Sequence, residues 1–410
     1  MFKPVRSLQV GCIAVLLAGC AANQTAAVAP APMQVVPATA VTQNSAQPLS
    51  LPAPAPSIQA GISTPGSAVF RQANGDLTPN LQAYAREVAN ARGVPLSHVE
   101  ALLRTANYDA AAVKLMTPSG NRIRRSWVTY RNRFVEPIRI NAGERFWSEN
   151  RSTLDSVATT YGVPPSIIVA IIGIETVYGR NTGSFRVLDV LTTLGFRYPD
   201  PSRPERSQLF RDQLADLIEL DYKKQLNALE VSGSFAGAMG LPQFMPGSLM
   251  RYAADGDRDG RIDLLYSVDD AIASVARFLR LHGWVPGLPV FAPAAAGPNA
   301  ASLVAGGLIP TYDWTQLEAA GATLRTPTAA STAALRPVSH ASEAGAAAPW
   351  QQHKLGVVDL VDEPRKLAEY RIGTPNFFAI THYNRSYFYA SSVADLAHAL
   401  ADRMGYGWPN

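Results

Sequence analysis

Glu175 is the residue of this sequence best suited to acid–base chemistry. It directly follows an apolar run, residues 167–174, and precedes the sequence Thr-Val-Tyr-Gly-Arg180. A lone carboxyl group at the edge of a buried helix is desolvated, which raises its pKa and keeps it protonated near neutral pH. Such a group can protonate a glycosidic oxygen as a general acid. Alternatively, Glu175 marks the solvent end of a core helix or pairs with Arg180.

Residues 234–246 form a second candidate segment, which combines small, polar and flexible apolar residues. It carries polar side chains at Ser234 and Gln243 and apolar ones at Met239 and Phe244. Small residues let a ligand approach the backbone closely, while amide, hydroxyl and aromatic groups suit a sugar with hydroxyl and acetamido arms. The segment is therefore a candidate saccharide site, with a tightly packed helix-turn-helix as the alternative interpretation.

Aspartates occupy alternate positions at Asp255, Asp257 and Asp259, and a glycine and Arg261 follow. Oxygen ligands at alternate positions with glycine at the sharp turn are typical of a calcium loop, in which the seventh position, here Arg261, supplies a backbone carbonyl. The twelfth position is Tyr266 instead of Glu, so a standard EF-hand does not fit. A solvated aspartate turn that caps the next helix is the alternative.

Helical patterns dominate the elements that must position these residues. Pro164 and Pro165 suit the first turn of a helix, and the run 167–174 is apolar all round, so this helix is expected at the centre of the core. Further helices are predicted at 81–92, 97–107, 144–161, 205–230, 245–253, 270–282 and 392–403. Strands are predicted at 355–361 and 377–382, and the Ala-rich stretch 319–349 is interpreted as an irregular insertion. These patterns predict a mainly α protein with a smaller C-terminal α+β part.

Charge and cysteine content exclude several classes of function. The 410 residues include 36 Lys and Arg against 32 Asp and Glu, a formal net charge of +4. That balance argues against a nucleic-acid partner. The only cysteines, Cys12 and Cys20, lie near the amino terminus. Disulfides, cysteine-based metal sites and thiol nucleophiles are therefore excluded from the rest of the chain.

The amino terminus resembles a bacterial lipoprotein leader. Residues 1–19 carry two basic residues and a short apolar run, and the sequence Leu-Ala-Gly-Cys20 resembles a lipobox in which Cys20 is lipidated after cleavage. Alanine follows the cysteine, which by resemblance to lipoproteins implies sorting to the periplasmic face of the outer membrane. A plain secretory signal is the alternative. Residues 20–70, rich in Ala, Pro, Gln, Ser and Thr, are predicted to be a disordered tether.

Residues 161–180 and 233–246 closely resemble the membrane-bound lytic murein transglycosylase B family (glycoside hydrolase family 103). The resemblance continues through residues 127–131, 257–263, 282–284 and 375–384. It implies a lysozyme-like, mainly helical catalytic core. The catalytic domain is then expected over 71–410, with a helical part at about 76–285 and a small α+β part at about 286–403.

The resemblance implies an enzyme that cleaves the MurNAc-GlcNAc β-1,4 bond of peptidoglycan glycan strands without water and without a catalytic cofactor. Glu175 would protonate the leaving oxygen and then, as a base, take the proton of the MurNAc C6 hydroxyl, which closes a 1,6-anhydro ring. A hydrolytic lysozyme on the same fold and a non-catalytic peptidoglycan-binding scaffold are the alternatives. Wall-synthesis proteins are further candidate partners.

The resemblance also implies roles for individual residues. Ser234 and Gln243 match family residues that hold the saccharide, and Phe244 matches an apolar wall beside Met239. The other implied substrate-binding residues are Tyr130, Tyr383, Asn384 and Tyr389, with Arg206 (or Arg203) for the peptide. For a structural Ca²⁺, the implied ligands are Asp255, Asp257, Asp259 and Arg261, with Asp269 or Asp270 closing a longer loop.

Overall fold

A computed structural model of the chain describes residues 69–118, 122, 124–325 and 349–406. The predicted leader 1–19, the lipidation site Cys20 and all but the last two residues of the predicted tether lie outside these residues. The same holds for positions 326–348 of the predicted insertion. The described part is mostly helical with short strands, which confirms the predicted fold class.

In chain order, the α-helices of the described part are α1 (Pro79–Arg92), α2 (Leu96–Arg104), α3 (Ala110–Met116), α4 (Trp127–Arg131), α5 (Pro137–Glu149), α6 (Arg151–Tyr161), α7 (Pro165–Thr176), α8 (Val187–Phe196), α9 (Pro204–Tyr222), α10 (Pro246–Tyr252), α11 (Val268–Leu281), α12 (Trp314–Ala319), α13 (Pro375–Thr381) and α14 (Tyr387–Arg403). The strands are β1 (Phe185–Arg186), β2 (Ser232–Gly233), β3 (Ala294–Ala295), β4 (Thr323–Leu324), β5 (Gly356–Asp362) and β6 (Leu367–Gly373). They pair antiparallel as β1 with β2, β3 with β4 and β5 with β6.

Helix α7 is the centre of the main core, as its apolar sequence predicts. It begins with Pro165 in its first turn, where a missing N–H costs nothing, and every residue from Ser166 to Ile174 is buried. Helices α5, α6, α11 and α14 pack around it. Each fully buried Ile or Val contributes about 1.5–3 kcal/mol to folding, so the position of α7 is tightly determined.

The β5–β6 hairpin separates the main core from a smaller second core. Successive side chains of a strand point to opposite faces, so Val358 and Leu360 of β5 belong to the main core, whereas Val357 belongs to the second one. The second core is formed by residues between Leu288 and Ile372, including Trp314 and Trp350, whose rings meet edge to face.

The predicted α+β part, 286–403, contributes residues to both hydrophobic cores. Helices α13 and α14 carry their apolar residues into the main core, where α14 packs directly on α7. The last residue of the second core is Ile372, and the helices that follow it belong to the main core. The reason is the apolar face of α14, which is long enough to complete the shell around the central helix.

Two predicted elements are wrong. The predicted strand 377–382 is helix α13, because the side chain of Thr374 accepts the N–H of Asn376 and Pro375 occupies the first turn. The predicted helix 144–161 is interrupted at Asn150, whose side-chain amide donates to the carbonyl of Phe146 and ends α5 before α6 begins.

Among the described residues, no single helix combines the length and apolar character needed to cross a membrane. Helices α6 and α7 reach that length and apolar character only when taken together, and they are bent by 114° relative to each other.

Candidate active site

Glu175 is held at the end of α7 by an unusual turn. The next residues, Val177 and Tyr178, have positive φ angles of 51° and 58°, which a β-branched residue adopts only when its surroundings impose it. The hydroxyl of Tyr178 is buried against Gly143 of α5 and Gly173 of α7, where a Cβ atom would collide with it. The packing of Tyr178 between two glycines therefore holds the strained turn and fixes the direction in which the Glu175 side chain leaves the helix.

The Glu175 carboxyl group lies in a setting that favours its protonated form. The Tyr389 hydroxyl donates a hydrogen bond to Glu175 Oε1 at 2.6 Å. Burial raises the pKa of Glu175 to about 7, against a smaller lowering by the Tyr389 hydrogen bond. Within the described residues Glu175 has no ion pair, so the alternative pairing with Arg180 is not observed. The site thus supplies a carboxyl group that can lose and regain a proton near neutral pH.

Three tyrosines lie near this carboxyl group, and a phenylalanine packs against one of them. Burial and the Glu175 charge raise the pKa of Tyr130, Tyr383 and Tyr389 above the ordinary tyrosine value, so all three remain protonated donors. The Tyr383 ring stacks parallel to that of Tyr389, with centroids 6.4 Å apart, and lies 5.9 Å from the Phe244 ring. These four residues with Glu175 are called the tyrosine cluster below.

The hydroxyls of this cluster differ in what they already bind. The Tyr383 hydroxyl donates to the carbonyl of Pro242 at 2.6 Å, and that of Tyr389 donates to Glu175. The Tyr130 hydroxyl is buried without a hydrogen-bond partner among the described residues. An unpaired buried hydroxyl costs free energy. A hydrogen bond from Tyr130 to a ligand would therefore remove this cost.

Residues 234–244 form a compact turn beside the cluster, not the helix-turn-helix of the alternative interpretation. Ser234 Oγ accepts the N–H groups of Ala236 and Ala238 at 3.3 and 3.0 Å, which leaves its own O–H to donate. Gln243 has a φ of 50°, and its side-chain nitrogen donates to the carbonyls of Thr182 and Gly240. The turn therefore leaves the Ser234 O–H as a donor and the Gln243 side-chain oxygen as an acceptor for a ligand.

The predicted apolar residues of this turn lie underneath it. Met239 and Phe244 are only 1% and 2% exposed, and their backbones pair with each other in a short bridge. Phe244 contacts the rings of Phe278 and Tyr383, whereas Met239 contributes to the core below. Both support the site from beneath.

A residue that sequence reasoning missed connects the two motif segments. Thr176 Oγ1 donates to the carbonyl of Leu241 at 3.1 Å and accepts the N–H of Gly179 at 3.0 Å. The N–H of Leu241 in turn donates to the carbonyl of Leu264. Thr176 directly follows Glu175 in the sequence, and that adjacency is the signal that could have identified it.

The remaining predicted substrate residues lie at the edges of this arrangement. Asn384 is half-buried and directly follows Tyr383 of the tyrosine cluster. Arg206 is half-buried in the first turn of α9, and its N–H donates to the carbonyl of Arg203. Arg203 itself forms an ion pair with Glu205 at 3.1 Å. Of the two candidate arginines, Arg203 is thus paired with an acidic side chain, that of Glu205.

The predicted calcium loop brings three carboxylates together. One oxygen atom from each of Asp255, Asp257 and Asp259 lies within 4.8 Å of the other two. Asp255 Oδ1 is buried and accepts no hydrogen bond within the part of the chain that the structure describes. A buried carboxylate oxygen without a donor is what a cation ligand requires, so these residues fit Ca²⁺.

The two candidates for closing the loop differ in their partners. Asp270 is buried, and its two oxygens accept the N–H groups of Gly256 and Asp263 at 2.7 and 2.6 Å. The Asp269 carboxylate accepts a hydrogen bond from the Thr153 hydroxyl of α6. Ser267 caps α11, so the alternative in which an aspartate turn caps this helix is wrong.

Comparison with known proteins gives a consistent result. The family model "Transglycosylase SLT domain" matches residues 76–398. The chain is 35% identical over 342 residues to membrane-bound lytic murein transglycosylase B of Escherichia coli strain K12, covering 80% of this chain and 85% of that protein.

Solved structures of lytic transglycosylases are similar as well. The soluble lytic transglycosylase SltB1 of Pseudomonas aeruginosa superposes with a TM-score of 0.67 at 36% identity, covering 80% of this chain and 100% of that one. The Escherichia coli lytic transglycosylase Slt35 in complex with calcium gives 0.66 at 32% identity, covering 84% and 99%. The chain therefore belongs to the transglycosylase SLT family, which confirms the resemblance found in the sequence.

Proposed function

We propose that this chain is a lytic transglycosylase of peptidoglycan in which Glu175 acts first as the acid and then as the base. The observation that carries the proposal is the Glu175 carboxyl group at the end of a buried helix, with a pKa raised to about 7 and the Tyr389 hydroxyl on one of its oxygens. A group with its pKa near the working pH is suited to both proton transfers.

In the first step Glu175 donates its proton to the oxygen that links MurNAc to GlcNAc, and the C1–O bond of MurNAc breaks. Positive charge then develops at C1. Burial and Tyr389 account for the pKa of Glu175, and no second carboxylate of the described residues contributes to it. Stabilisation by the acetamido group of the substrate itself fits a site with a single acid.

In the second step the Glu175 carboxylate takes the proton of the MurNAc C6 hydroxyl. The C6 oxygen bonds to C1, which closes the 1,6-anhydro ring and returns Glu175 to its protonated state. No water is consumed. Tyr389 keeps its hydrogen bond to Glu175 Oε1 throughout, so the orientation of the carboxyl group is the same in both steps.

The saccharide is held by polar groups of the turn 234–244 and by Tyr130. The Ser234 hydroxyl, the Gln243 amide oxygen and the unpartnered Tyr130 hydroxyl offer a donor, an acceptor and a second donor. Asn384 and Arg206 extend the binding surface, Arg206 toward the stem peptide. Preorganised groups of this kind position the substrate at a low entropic cost.

A structural Ca²⁺ is proposed for the aspartate loop, residues 255–270. Carboxylates of Asp255, Asp257 and Asp259 and the carbonyl of Arg261 would bind it. Asp269 is favoured over Asp270 as the closing ligand, because both oxygens of Asp270 already accept backbone N–H groups. Bound Ca²⁺ would supply rigidity to this loop.

The calcium proposal predicts a metal-dependent stability. Addition of Ca²⁺ at about 100 times its dissociation constant should stabilise the fold by about 2.7 kcal/mol, measured as a rise in the thermal unfolding midpoint over a sample in EGTA. Asp257→Ala should remove that rise. An equal rise in this variant would contradict the assignment of the ligands.

The amino terminus is proposed to anchor the enzyme. Lipidated Cys20 would hold it at the periplasmic face of the outer membrane, with residues 21–70 as the tether to the catalytic domain. Labelling of the chain with a radioactive fatty acid, lost in Cys20→Ser, is the test of this anchor.

The reaction itself is tested by the masses of its products. Purified peptidoglycan is digested with the full chain in detergent, and the products are measured by mass spectrometry. Chain ends in 1,6-anhydro-MurNAc, one water lighter than reducing ends, are expected. Reducing ends would instead make the enzyme a hydrolytic lysozyme, and no cleavage with or without Ca²⁺ would favour a peptidoglycan-binding scaffold.

A further inference from the structure

A cleft of about 330 Å³ lies between the aspartate loop and the chain that follows α9. One wall is formed by residues 261–266 and the other by residues 225–232, with Met239 and Gly240 between them. The volume is at the lower end of the range of about 300–1,000 Å³ found for small-molecule sites. Glu175 and the three tyrosines of the tyrosine cluster do not line it, so it is a separate cavity.

The wall after α9 presents polar side chains that other residues do not engage. Gln225, Glu230 and Ser232 are exposed at the cleft, and none of these side chains forms a hydrogen bond or ion pair with another described residue. Amide, carboxylate and hydroxyl groups together offer both donors and acceptors. Such a set suits a ligand with several hydroxyl and amide groups.

The opposite wall ends in an exposed aromatic ring. Tyr266 lines the cleft and is 76% exposed, the highest value among the exposed large apolar residues of the described part. An aromatic face open to solvent beside polar groups is suited to stack on the apolar face of a sugar ring. Tyr266 occupies the position where a standard EF-hand carries its Glu ligand, so this residue is available for another role.

The wall that carries Tyr266 is rigidly built. Asp263 Oδ1 accepts the N–H groups of Leu265 and Tyr266 at 2.9 and 3.0 Å, and the Asp263 N–H donates to buried Asp270. Gly240 packs against the carbonyl of Leu264 with no room for a Cβ atom. The ring is thus presented by a preorganised backbone, which lowers the entropic cost of binding.

We propose that this cleft is a second glycan-binding site, which holds neutral GlcNAc units of a peptidoglycan strand with Tyr266 as the stacking platform. The choice of ligand rests on the proposed function. Stem peptides are less suitable, because the cleft is lined by Glu230 and Asp263 against one basic residue, Arg261, and peptide carboxylates would be repelled.

The cleft also adjoins the catalytic segment through shared backbone. Gly240 lines the cleft and accepts a hydrogen bond from the Gln243 side chain, and the carbonyl of Thr182, another lining residue, accepts from the same nitrogen. A strand bound at both sites would gain effective concentration at the catalytic site. The expected benefit is retention of long strands between successive cleavages.

The test is a calorimetric titration of the full chain, in detergent and carrying Glu175→Gln, with the neutral probe triacetylchitotriose. Two binding events are expected, one at the catalytic site and one at the cleft. Adding Tyr266→Ala should weaken one event about fivefold or more and leave the other unchanged. Tyr266→Phe keeps the ring and should retain both events.

The matched control is Ile309→Ala, which removes a side chain of almost equal exposure, 75%, outside the cleft lining and should leave both events unchanged. Glu230→Ala, on the opposite wall, should weaken the same event as Tyr266→Ala.

A single event, or two events that Tyr266→Ala and Glu230→Ala leave unchanged, would overturn the proposal. Binding of a stem-peptide fragment in place of the trisaccharide, lost in Tyr266→Ala, would overturn the choice of a glycan. None of these results alters the product masses of the unmodified enzyme, so the proposed function is judged separately.

Discussion

The end of α7 and the aspartate loop each shield a carboxyl group from water, but they give it different hydrogen-bond partners. Glu175 has one hydrogen bond, from a tyrosine hydroxyl, and no cation or backbone N–H within the described residues. Asp270 is more deeply buried, only 1% exposed, and receives two backbone N–H groups on its two oxygens. The first carboxyl group is left free to exchange its proton, whereas the second holds the backbone around it in place.

The contrast shows that burial alone does not define a catalytic acid. Burial raises the pKa of both groups, yet each oxygen of Asp270 already accepts a backbone N–H group. What distinguishes Glu175 is that its environment provides few compensating donors. Each of the following predictions changes one side of this comparison.

The largest effect is expected from Glu175→Gln on catalysis. The amide cannot transfer a proton in either step, so turnover of peptidoglycan should fall by about 10²- to 10⁴-fold, while the glutamine keeps the size of the side chain and substrate binding. Release of soluble fragments from purified peptidoglycan measures the rate. The control Glu149→Gln changes an exposed carboxyl group at the end of α5 and should keep full activity. Unchanged turnover in Glu175→Gln would exclude the proposed mechanism.

The same substitution should stabilise the fold at alkaline pH. Because the folded-state pKa of Glu175, about 7, lies above its ordinary value of 4.5, folding favours the protonated form. That contribution is fully present below pH 4.5 and is lost as the pH rises through 7. At pH 8 the unfolding free energy of Glu175→Gln should therefore exceed that of the wild type by about 3 kcal/mol. Urea unfolding at pH 8 and pH 4.5 measures the difference, and an equal gain at both pH values would contradict it.

Asp270→Asn should lower the unfolding free energy, whereas Glu175→Gln should raise it. The asparagine keeps one acceptor oxygen, but its amide nitrogen then faces an N–H donor of Gly256 or Asp263, which leaves that donor unpaired. A loss of about 1–3 kcal/mol in unfolding free energy is expected. Measurement in EGTA separates this loss from any effect on metal binding. Asp259→Asn, at an exposed carboxylate that accepts one N–H group, should cost clearly less. An equal cost would contradict the structural role of Asp270.

The sequence predicted those features that depend on local patterns. Helix α7 and its burial follow from two prolines and an uninterrupted apolar run. Helices α1 and α6 end at residues 92 and 161, where the predicted helices end, and each is followed by a glycine with a positive φ angle. The strand prediction for residues 377–382 is wrong because a short apolar run is ambiguous between strand and helix. The deciding signal, the capping Thr374 followed by proline, lies outside the run.

The candidate site was predictable only in part, because some of its residues are brought together by long-range packing and not by a local pattern. The position of Glu175 at the end of an apolar helix is a local pattern, so its raised pKa could be expected. Tyr389 lies 214 residues away and reaches Glu175 only because α14 packs against α7. No periodicity distinguishes Tyr389 from the other tyrosines, and the family resemblance alone pointed to it. The role of Thr176 and the hydrogen bonds of Gln243 to backbone carbonyls could be identified only from the folded structure.

Removal of the hydroxyl in Tyr389→Phe should have the smallest effect of these substitutions. The effect should be confined to the pH dependence of activity. Its hydrogen bond lowers the pKa of Glu175 against the effect of burial, so without it the pKa should rise further above 7. Activity requires protonated Glu175 and falls as the pH rises through this pKa. The alkaline limb of the pH–rate profile should therefore move to higher pH by about one unit in the variant.

The control for this shift is Tyr383→Phe. The Tyr383 hydroxyl donates to the carbonyl of Pro242 and not to Glu175, so its removal should leave the alkaline limb in place, whatever happens to the maximal rate. A limb that moves equally in both variants would mean that general polarity of the cluster sets the pKa of Glu175. A limb that moves toward acid in Tyr389→Phe would mean that Tyr389 stabilises the protonated acid. Only a shift confined to Tyr389→Phe and directed to higher pH identifies its single hydrogen bond as the group that tunes the catalytic acid.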